Sequence, residues 1–249
     1  MRNQLVYDLP TRLFHWLFAG LFIIAYVIAS TAEESSLFPW HMLAGLTLAL
    51  LVLIRVVWGV IGTRHARFSD FALSPRALFT YFKHLVSGEK QRWSGHNPAS
   101  SWAALIVVGL AVALGVTGYL MASSGNTEVY EDIHELLANA FIAMVMLHVA
   151  GLVLHAVRYR DGLPLSMVDG CKQQVAEDES ISSSRPVVGM LLLAIVAAFA
   201  VMLVRNYDTG TQTLNLFGNA LLLGADEAGK PGEANESDAH HKTVREDDD

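Results

Sequence analysis

Five of the ten histidines in this sequence lie within or at the ends of long apolar runs: His15, His41, His134, His148 and His155. An ionisable side chain in hydrocarbon is costly, so its presence there requires a cause. A neutral imidazole binds iron well, and two imidazoles on one iron fill both axial positions of a b-type haem. Such a low-spin haem exchanges electrons and leaves no open position for dioxygen.

The spacing of these histidines groups four of them into two pairs. His134 and His148 are fourteen residues apart, which in an α-helix is about 21 Å along the axis and only about 40° around it. His41 begins the second apolar run at the depth of His134, and His15 lies near the start of the first run at a depth close to that of His148. The sequence therefore predicts two cross-helix histidine pairs, one in each membrane leaflet.

Arg55 follows His41 by fourteen residues and shares its helix face. Its guanidinium would lie near the depth of His148, where it can pair with haem propionates or bind a quinone oxygen. Simpler interpretations stay open. Arg55 can extend to lipid phosphates, and His15, His41 and His155 can cap helix ends or lie in the headgroup region. His148 lies far from either end of its run and has no such alternative.

Five apolar runs carry these side chains, and each approaches or exceeds the roughly 20 residues that an α-helix needs to cross a bilayer. They cover residues 13–30, 41–62, 101–122, 132–157 and 187–204. Lipid offers backbone groups no other partner, so the runs must be helices in a closed bundle. We expect an all-α fold, a transmembrane four-helix haem-binding bundle with a fifth C-terminal transmembrane helix.

The composition agrees with a membrane protein, since 53% of the residues are hydrophobic and only 16% are charged. The net charge of −7 belongs to loops and to the C-terminal segment, and we expect no nucleic-acid partner. A single cysteine, Cys171, excludes an internal disulfide, a cysteine-ligated cluster and covalent haem attachment through C-x-x-C-H. We interpret the first apolar run as a retained anchor rather than a cleaved signal.

The loop charges predict the orientation of the chain. Arginine and lysine are concentrated at residues 62–100 and 158–185, which lie on one side by alternation, and the short loops of the other side carry acidic residues without Lys or Arg. The positive-inside rule then places the N-terminus in the cytoplasm. The acidic residues of the outer loops are Glu33, Glu34, Glu128, Glu131 and Asp132.

The C-terminal part divides into three segments. We expect a cytoplasmic linker at residues 173–186, the extra transmembrane helix at 187–204, and an acidic, mostly disordered periplasmic tail at 205–249. Within this tail, residues 214–223 are apolar enough for a short interfacial helix.

An ordered series of short motifs runs through residues 5–172. It comprises Tyr7 to Trp16 with Pro10, Thr11, Arg12 and the His15 and Trp16 pair, then His41 with Gly45, Arg55 to Gly62, Gly95 to Pro98, and His134 to His155. This series resembles the bacterial cytochrome b561 and nickel hydrogenase b-type cytochrome family. The order of the four histidines and the fourteen-residue spacing make the resemblance specific.

The resemblance implies two haems b in a domain at residues 1–172. It assigns His15 and His148 as axial iron ligands of the inner haem, and His41 and His134 as those of the outer haem. Members of the family pass electrons from hydrogenases, dehydrogenases or soluble cytochromes to quinone, and some oxidise superoxide. The fifth helix and the acidic tail depart from the family's four-helix core, and leave the identity of the partner open.

We therefore expect a di-haem b-type cytochrome of the bacterial inner membrane that carries electrons between the quinone pool and a periplasmic redox partner. A hydrogenase subunit or a c-type cytochrome is such a partner, and the chain would be an electron-transfer subunit of an oxidoreductase rather than a stand-alone enzyme. Quinone chemistry also needs proton donors. Candidates by position are Glu131, Asp132 and Glu135 outside and Asp8 inside.

Three other functions are weighed against this one. Superoxide oxidation with quinone reduction is disfavoured because acidic outer loops repel an anion. A haem-free transporter, whose histidines bind a metal ion or carry protons, usually shows two related halves with broken helices, and neither a repeat nor an interior proline is visible here. A purely structural anchor would leave His148 in hydrocarbon without a partner.

Overall fold

The computed structural model describes residues 4–31, 36–89, 93, 95–123, 127–159, 165–173 and 175–223, with only the backbone at 127, 128 and 159. The elements in chain order are β1 (Gln4–Leu5), α1 (Leu9–Thr31), α2 (Phe38–Ile61), α3 (Pro75–Ser87), α4 (Pro98–Ser123), α5 (Thr127–Tyr159), α6 (Ser166–Asp169), β2 (Cys171–Lys172), α7 (Pro186–Asn206), β3 (Tyr207–Asp208), β4 (Thr213–Leu216) and β5 (Asn219–Leu222).

Five helices in the described part of the chain are long and apolar enough to cross a membrane, namely α1, α2, α4, α5 and α7. Many of their large apolar side chains lie on the outside of the bundle, as Leu53 and Leu147 do, each 64% exposed. Hydrocarbon satisfies such a surface, and the helical hydrogen bonds satisfy the backbone within it. The predicted all-α transmembrane bundle with a fifth helix is confirmed, and the chain is a multi-pass membrane protein.

The helices alternate in direction, which defines two ends of the bundle. At the N-terminal end, where α1 begins, the indole of Trp58 near the end of α2 donates to Asp8 at 3.0 Å. At the other end, His41 on the first turns of α2 donates to the carbonyl of Ala25 on α1 at 2.8 Å. Helices α4 and α5 form a second hairpin, α4 packs against α2, and α7 packs against α1 and α2.

The contact of α7 with the α1–α2 hairpin is a continuous apolar core. Leu51 of α2 packs there with Leu192 and Val196 of α7. Near the start of α7, a Cβ on Gly189 would lie 2.8 Å from Leu9 of α1. The fifth helix therefore backs the hairpin that carries His15 and His41.

The segment after α7 is a small antiparallel sheet, in which β4 pairs with both β3 and β5. Leu214 and Leu221 of this sheet pack with Leu43 of α2 and Leu203 of α7, and we call residues 207–223 the cap. The expected interfacial helix at 214–223 is therefore wrong, as is the expected disorder for residues 207–223. Residues 224–249 lie outside the described residues.

A short strand pair holds the start of α1 at the N-terminal end. Leu5 pairs with Cys171 across β1 and β2, and the amides of Val6 and Tyr7 donate to the carbonyl of Gly170. Gly170 has a φ of +82°, and a Cβ there would lie 2.7 Å from the carbonyl oxygen of Tyr7. This junction requires glycine.

Candidate haem-binding sites

The pair predicted between α2 and α5 is formed at the cap end. The rings of His41 and His134 lie with their centroids 6.2 Å apart and their planes at 77°. Both rings are half-buried. An iron bound by two imidazoles has metal–nitrogen bonds of about 2 Å, and each ring centre lies about 1 Å behind its nitrogen, so ring centres are about 6 Å apart when both nitrogens face one metal ion. The observed separation fits this arrangement.

The hydrogen bonds of the two rings decide which nitrogen is free. Nδ1 of His41 lies 2.8 Å from the carbonyl oxygen of Ala25, which can only accept, so Nδ1 carries the proton. Nδ1 of His134 lies 2.8 Å from Oγ1 of Thr117, whose own hydrogen points to a carbonyl of its helix, at Ala113 or Leu114. The hydroxyl oxygen therefore accepts from His134. Each ring keeps Nε2, with its lone pair, for a metal ion.

Two glycines make room around this pair. A Cβ on Gly118 of α4 would lie 3.5 Å from Cε1 of His134, so the imidazole packs directly against the helix backbone. Gly45, one turn after His41, would meet no described atom within 4 Å if a Cβ were added. Open space on the histidine face suits the close approach of a flat ring.

The second pair, His15 and His148, lies nearer the N-terminal end and is less tightly held. The two rings are electrostatic neighbours. His15 is half-buried and makes an edge contact with Trp16 at 5.2 Å, whereas His148 is exposed along the bundle. Neither ring makes a hydrogen bond to the part of the chain that the structure describes. Both nitrogens of each imidazole thus remain available to a ligand.

Helix α1 is anchored beside His15 by contacts to α6. The indole of Trp16 donates to the carbonyl of Met167 at 2.9 Å, and the guanidinium of Arg12 donates to the carbonyl of Val168. These contacts fix the rotation of the first turns of α1. They hold His15 on the side of the helix that faces α5.

Arg55 is buried near the N-terminal end, with its guanidinium carbon 4.9 Å from the ring centre of Phe68 and 6.0 Å from that of Phe14. Its Nη1 has no hydrogen-bond partner among the described residues. A buried cationic donor without a partner is unfavourable, so the group is suited to an anionic ligand such as a haem propionate. The guanidinium therefore offers a buried donor at the N-terminal end of the bundle.

Asp8 lies in the same region and already has its partners. It is fully buried and accepts from the Thr11 amide at 2.8 Å, from the Trp58 indole at 3.0 Å and from the Thr63 hydroxyl at 2.6 Å. These bonds begin α1 and tie it to the end of α2. They also engage the carboxylate that was a candidate proton donor by position.

His96 lies in the polar loop before α4 and is half-buried. Its Nδ1 is buried and has no hydrogen-bond partner among the described residues. The ring lies 4.8 Å from that of Phe71 and 5.7 Å from that of Tyr7. Burial, and then the nearby positive charges of Arg55 and Lys172, lower the pKa of His96 to about 3. A neutral imidazole with an available nitrogen therefore faces the region of Arg55 and His148.

The loops around His96 are held by buried polar contacts. Lys172 donates to the carbonyls of Trp93 at 2.8 Å and Gly95 at 3.4 Å. His65, 2% exposed, bonds to Asp70 and to the carbonyl of Glu179, each at 2.8 Å. A Cβ on Gly95 would lie 2.5 Å from Nδ1 of His65. This packing brings distant loop residues together and accounts for the burial that the local sequence did not indicate.

The acidic residues predicted at the opposite end are described only in part. Glu131, Asp132 and Glu135 lie exposed on the first turns of α5, at the cap end. Glu33 and Glu34 lie outside the described residues, as does the side chain of Glu128. His155, left open by the sequence, is half-buried near the end of α5.

Known proteins are similar to this chain over most of the helical bundle. Residues 6–170 match the family model described as prokaryotic cytochrome b561. A probable Ni/Fe-hydrogenase B-type cytochrome subunit of Bradyrhizobium diazoefficiens is 24% identical, over 68% of this chain and 85% of the relative. One of Azotobacter vinelandii is 31% identical, over 48% of this chain and 60% of the relative. No solved structure matches.

Proposed function

Because the chain belongs to the prokaryotic cytochrome b561 family, and is therefore a membrane b-type cytochrome of electron transfer, we propose that it holds two haems b and carries electrons between quinone and a periplasmic redox partner. Bound haem supplies reversible one-electron exchange. The observation that carries the proposal is the pair of His41 and His134, whose Nδ1 atoms are engaged and whose Nε2 atoms remain free.

The chain supplies two ligand pairs at different depths of the bundle. His41 and His134 would hold the haem at the cap end, and His15 and His148 would hold the haem at the N-terminal end. Two neutral imidazoles at each iron leave no position for dioxygen. The protein thus confines each site to electron exchange. Two sites at different depths divide the electron transfer across the membrane into shorter steps.

The donors at the N-terminal end are suited to both propionates and quinone. Nη1 of Arg55 and Nδ1 of His96 are buried and available, and the guanidinium would bind a carboxylate or a quinone oxygen. His96 is neutral over the physiological pH range because its pKa is lowered to about 3, so it would orient a polar ligand without adding charge. We place quinone exchange at this end of the bundle.

The orientation follows from the loops at the N-terminal end. The described cations there include Arg64, Arg67, Arg76, Lys83, Arg158, Lys172 and Arg185. By the positive-inside rule this end is cytoplasmic and the cap end is periplasmic, in a bacterial inner membrane. Three further cations of these loops, Lys90, Arg92 and Arg160, lie outside the described residues.

The cap end would then receive the redox partner. The curated relatives are named as Ni/Fe-hydrogenase cytochrome subunits, and a hydrogenase subunit is accordingly our first choice, with a c-type cytochrome as the second. Exposed Glu131, Asp132 and Glu135 would attract a basic surface. The same charges would repel superoxide.

The test uses the purified protein in lipid nanodiscs. Oxidised protein is mixed with ubiquinol or menaquinol under anaerobic conditions, and haem reduction is followed by its absorption bands. We expect reduction of both haems by at least one quinol, each accepting one electron. Rapid reduction of the haems by superoxide, followed by their reoxidation by quinone, would favour the superoxide oxidase, and failure of both quinols to exchange electrons would contradict the proposal. His84→Gln, which replaces a half-buried histidine in the last turn of α3 and outside both pairs, is the control and should leave haem reduction unchanged.

A further inference from the structure

A phenylalanine lies midway between the two histidine pairs. Phe141 follows His134 by seven residues and precedes His148 by seven. Seven residues advance a helix by about 10 Å and return it to within about 20° of the same face. Phe141 therefore occupies the face of α5 that carries both histidines, halfway along the distance between them.

Phe141 is buried although much of α5 faces outward. Its side chain is 1% exposed, whereas Leu136 and Met146 on the same helix are 69% and 64% exposed. The residue therefore points into the bundle, at the depth where the membrane is driest.

Helix α1 supplies the contacts that enclose this ring. Phe22 lies 4.3 Å from Phe141 between ring centres, at 33°, and Phe18 lies 5.9 Å away at 35°. Phe18 and Phe22 are themselves 6.4 Å apart and nearly parallel. They follow His15 by three and seven residues, so they share its helix face. The three rings form one cluster, the aromatic layer, on the histidine faces of α1 and α5.

The aromatic layer lies between the two pairs in depth. On α1 it begins one turn after His15 and ends one turn before Ala25, whose carbonyl holds His41. On α5 it lies between His134 and His148. Apolar aromatic rings exclude water and offer no charge or hydrogen-bonding group to either site. An electron that leaves one pair for the other crosses this layer.

We propose that Phe141 is a positioning residue that, with Phe18 and Phe22, separates the two haem sites and forms the packed, dry medium through which electrons pass between them. The proposal rests on the proposed two-haem function. Each transfer oxidises one site and reduces the other by one electron, with no proton moved in the layer. Closely packed atoms transmit an electron better than a void, and a dry surrounding maintains the potentials of the two sites.

The test compares Phe141→Leu and Phe141→Ala with wild type in nanodiscs. Haem content and low-spin spectra are measured first, then midpoint potentials, then electron equilibration between the haems after light-triggered injection of one electron. We expect both haems to be retained in Phe141→Leu, with equilibration slowed several-fold. In Phe141→Ala we expect a further slowing and a lower potential at one site, because water admitted to the cavity stabilises the charged, oxidised form.

Val153→Ala, which trims a 56% exposed side chain of the same helix, is the matched control and should leave rate and potentials unchanged. A Phe141→Leu protein with two haems and the wild-type rate would overturn the proposal, whether or not Phe141→Ala folds. Fewer than two haems in wild type would instead contradict the proposed function. The two failures are therefore distinguishable.

Discussion

His41 and His134 face each other across α2 and α5 with ring centres 6.2 Å apart, and each ring is hydrogen-bonded through Nδ1 to a different third helix. Ala25 of α1 holds one ring and Thr117 of α4 holds the other. All four helices of the bundle thus contribute to one ligand pair. Such outer contacts select the tautomer and orient the ligand before the metal binds.

Single-histidine variants should each remove one haem. His134→Leu should lose the haem at the cap end and keep the other, because one axial ligand cannot hold it there, and His148→Leu should do the reverse. Pyridine haemochrome analysis with protein quantification measures the loss, which should bring the ratio to one haem per chain. Retention of both haems in either variant would contradict the ligand assignment.

Thr117→Val should weaken the cap-end site without abolishing it. The substitution keeps the shape of the side chain but removes the oxygen that accepts from His134, and loss of such a partner typically costs about 10- to 100-fold in metal affinity. Haem titration of the apoprotein measures this change. Thr47→Val is the control, since Thr47 is also buried but donates only within its own helix, to Leu43. Equal affinities in the two variants would count against the role of Thr117.

Gly118→Leu should displace the cap-end haem. A Cβ at Gly118 would already lie 3.5 Å from Cε1 of His134, so the remaining carbons of leucine would push the imidazole away. Gly109→Leu, at a position where an added Cβ meets no described atom within 4 Å, should keep both haems. The optical spectrum and the haem content of the two variants measure whether the cap-end haem is retained. Two unperturbed haems in Gly118→Leu would show that haem binding by His134 does not need the close contact between its ring and the backbone of α4.

Arg55→Gln should lower the midpoint potential of the haem at the N-terminal end. A buried positive charge disfavours the oxidised, more positive form of a nearby site, and glutamine removes that charge while keeping a donor. Arg55→Lys should restore most of the wild-type potential. Redox titration of the two haems measures the shift. An unchanged potential would show that the Arg55 charge does not face this haem.

His96 should make the fold sensitive to acid. Its pKa is lowered to about 3 in the folded protein, mainly by burial, whereas a free histidine titrates near 6.5. Between those values the unfolded chain binds the extra proton, so stability falls as pH falls from about 6.5 towards 3, by up to about 1.4 kcal/mol per pH unit from this group. His96→Gln should lose part of the pH dependence of the melting temperature between pH 7.5 and 4.5. An identical dependence in variant and wild type would show that His96 is not buried.

The five membrane helices were predictable because long apolar runs have one solution in lipid. The residues at which these helices begin and end were less predictable. Helix α5 begins at Thr127 rather than near 132, since its first polar turns extend past the hydrocarbon. The depths of the histidines followed from the helical repeat, but their hydrogen bonds to Ala25 and Thr117 did not, because these depend on how the helices rotate against one another.

The cap was missed for a specific reason. Leu214 and Leu216 alternate with polar residues, which favours a strand, but the turn that follows is Phe217–Gly218, with φ of 50° and 90°. In sequences, a two-residue turn with positive φ at both positions usually has asparagine or aspartate before glycine. The turn has phenylalanine at this position instead, and its side chain is 82% exposed. Because phenylalanine is apolar, the turn was interpreted as part of a continuous apolar run.

The central claim is that the chain holds two haems, each between two histidines of different helices. The most direct measurement is the haem-to-chain ratio of the purified, haem-saturated protein, combined with electron paramagnetic resonance of its oxidised form. We expect two haems b per chain with two low-spin ferric signals and no high-spin signal. One haem per chain, or a substantial high-spin signal, would contradict the two-pair assignment.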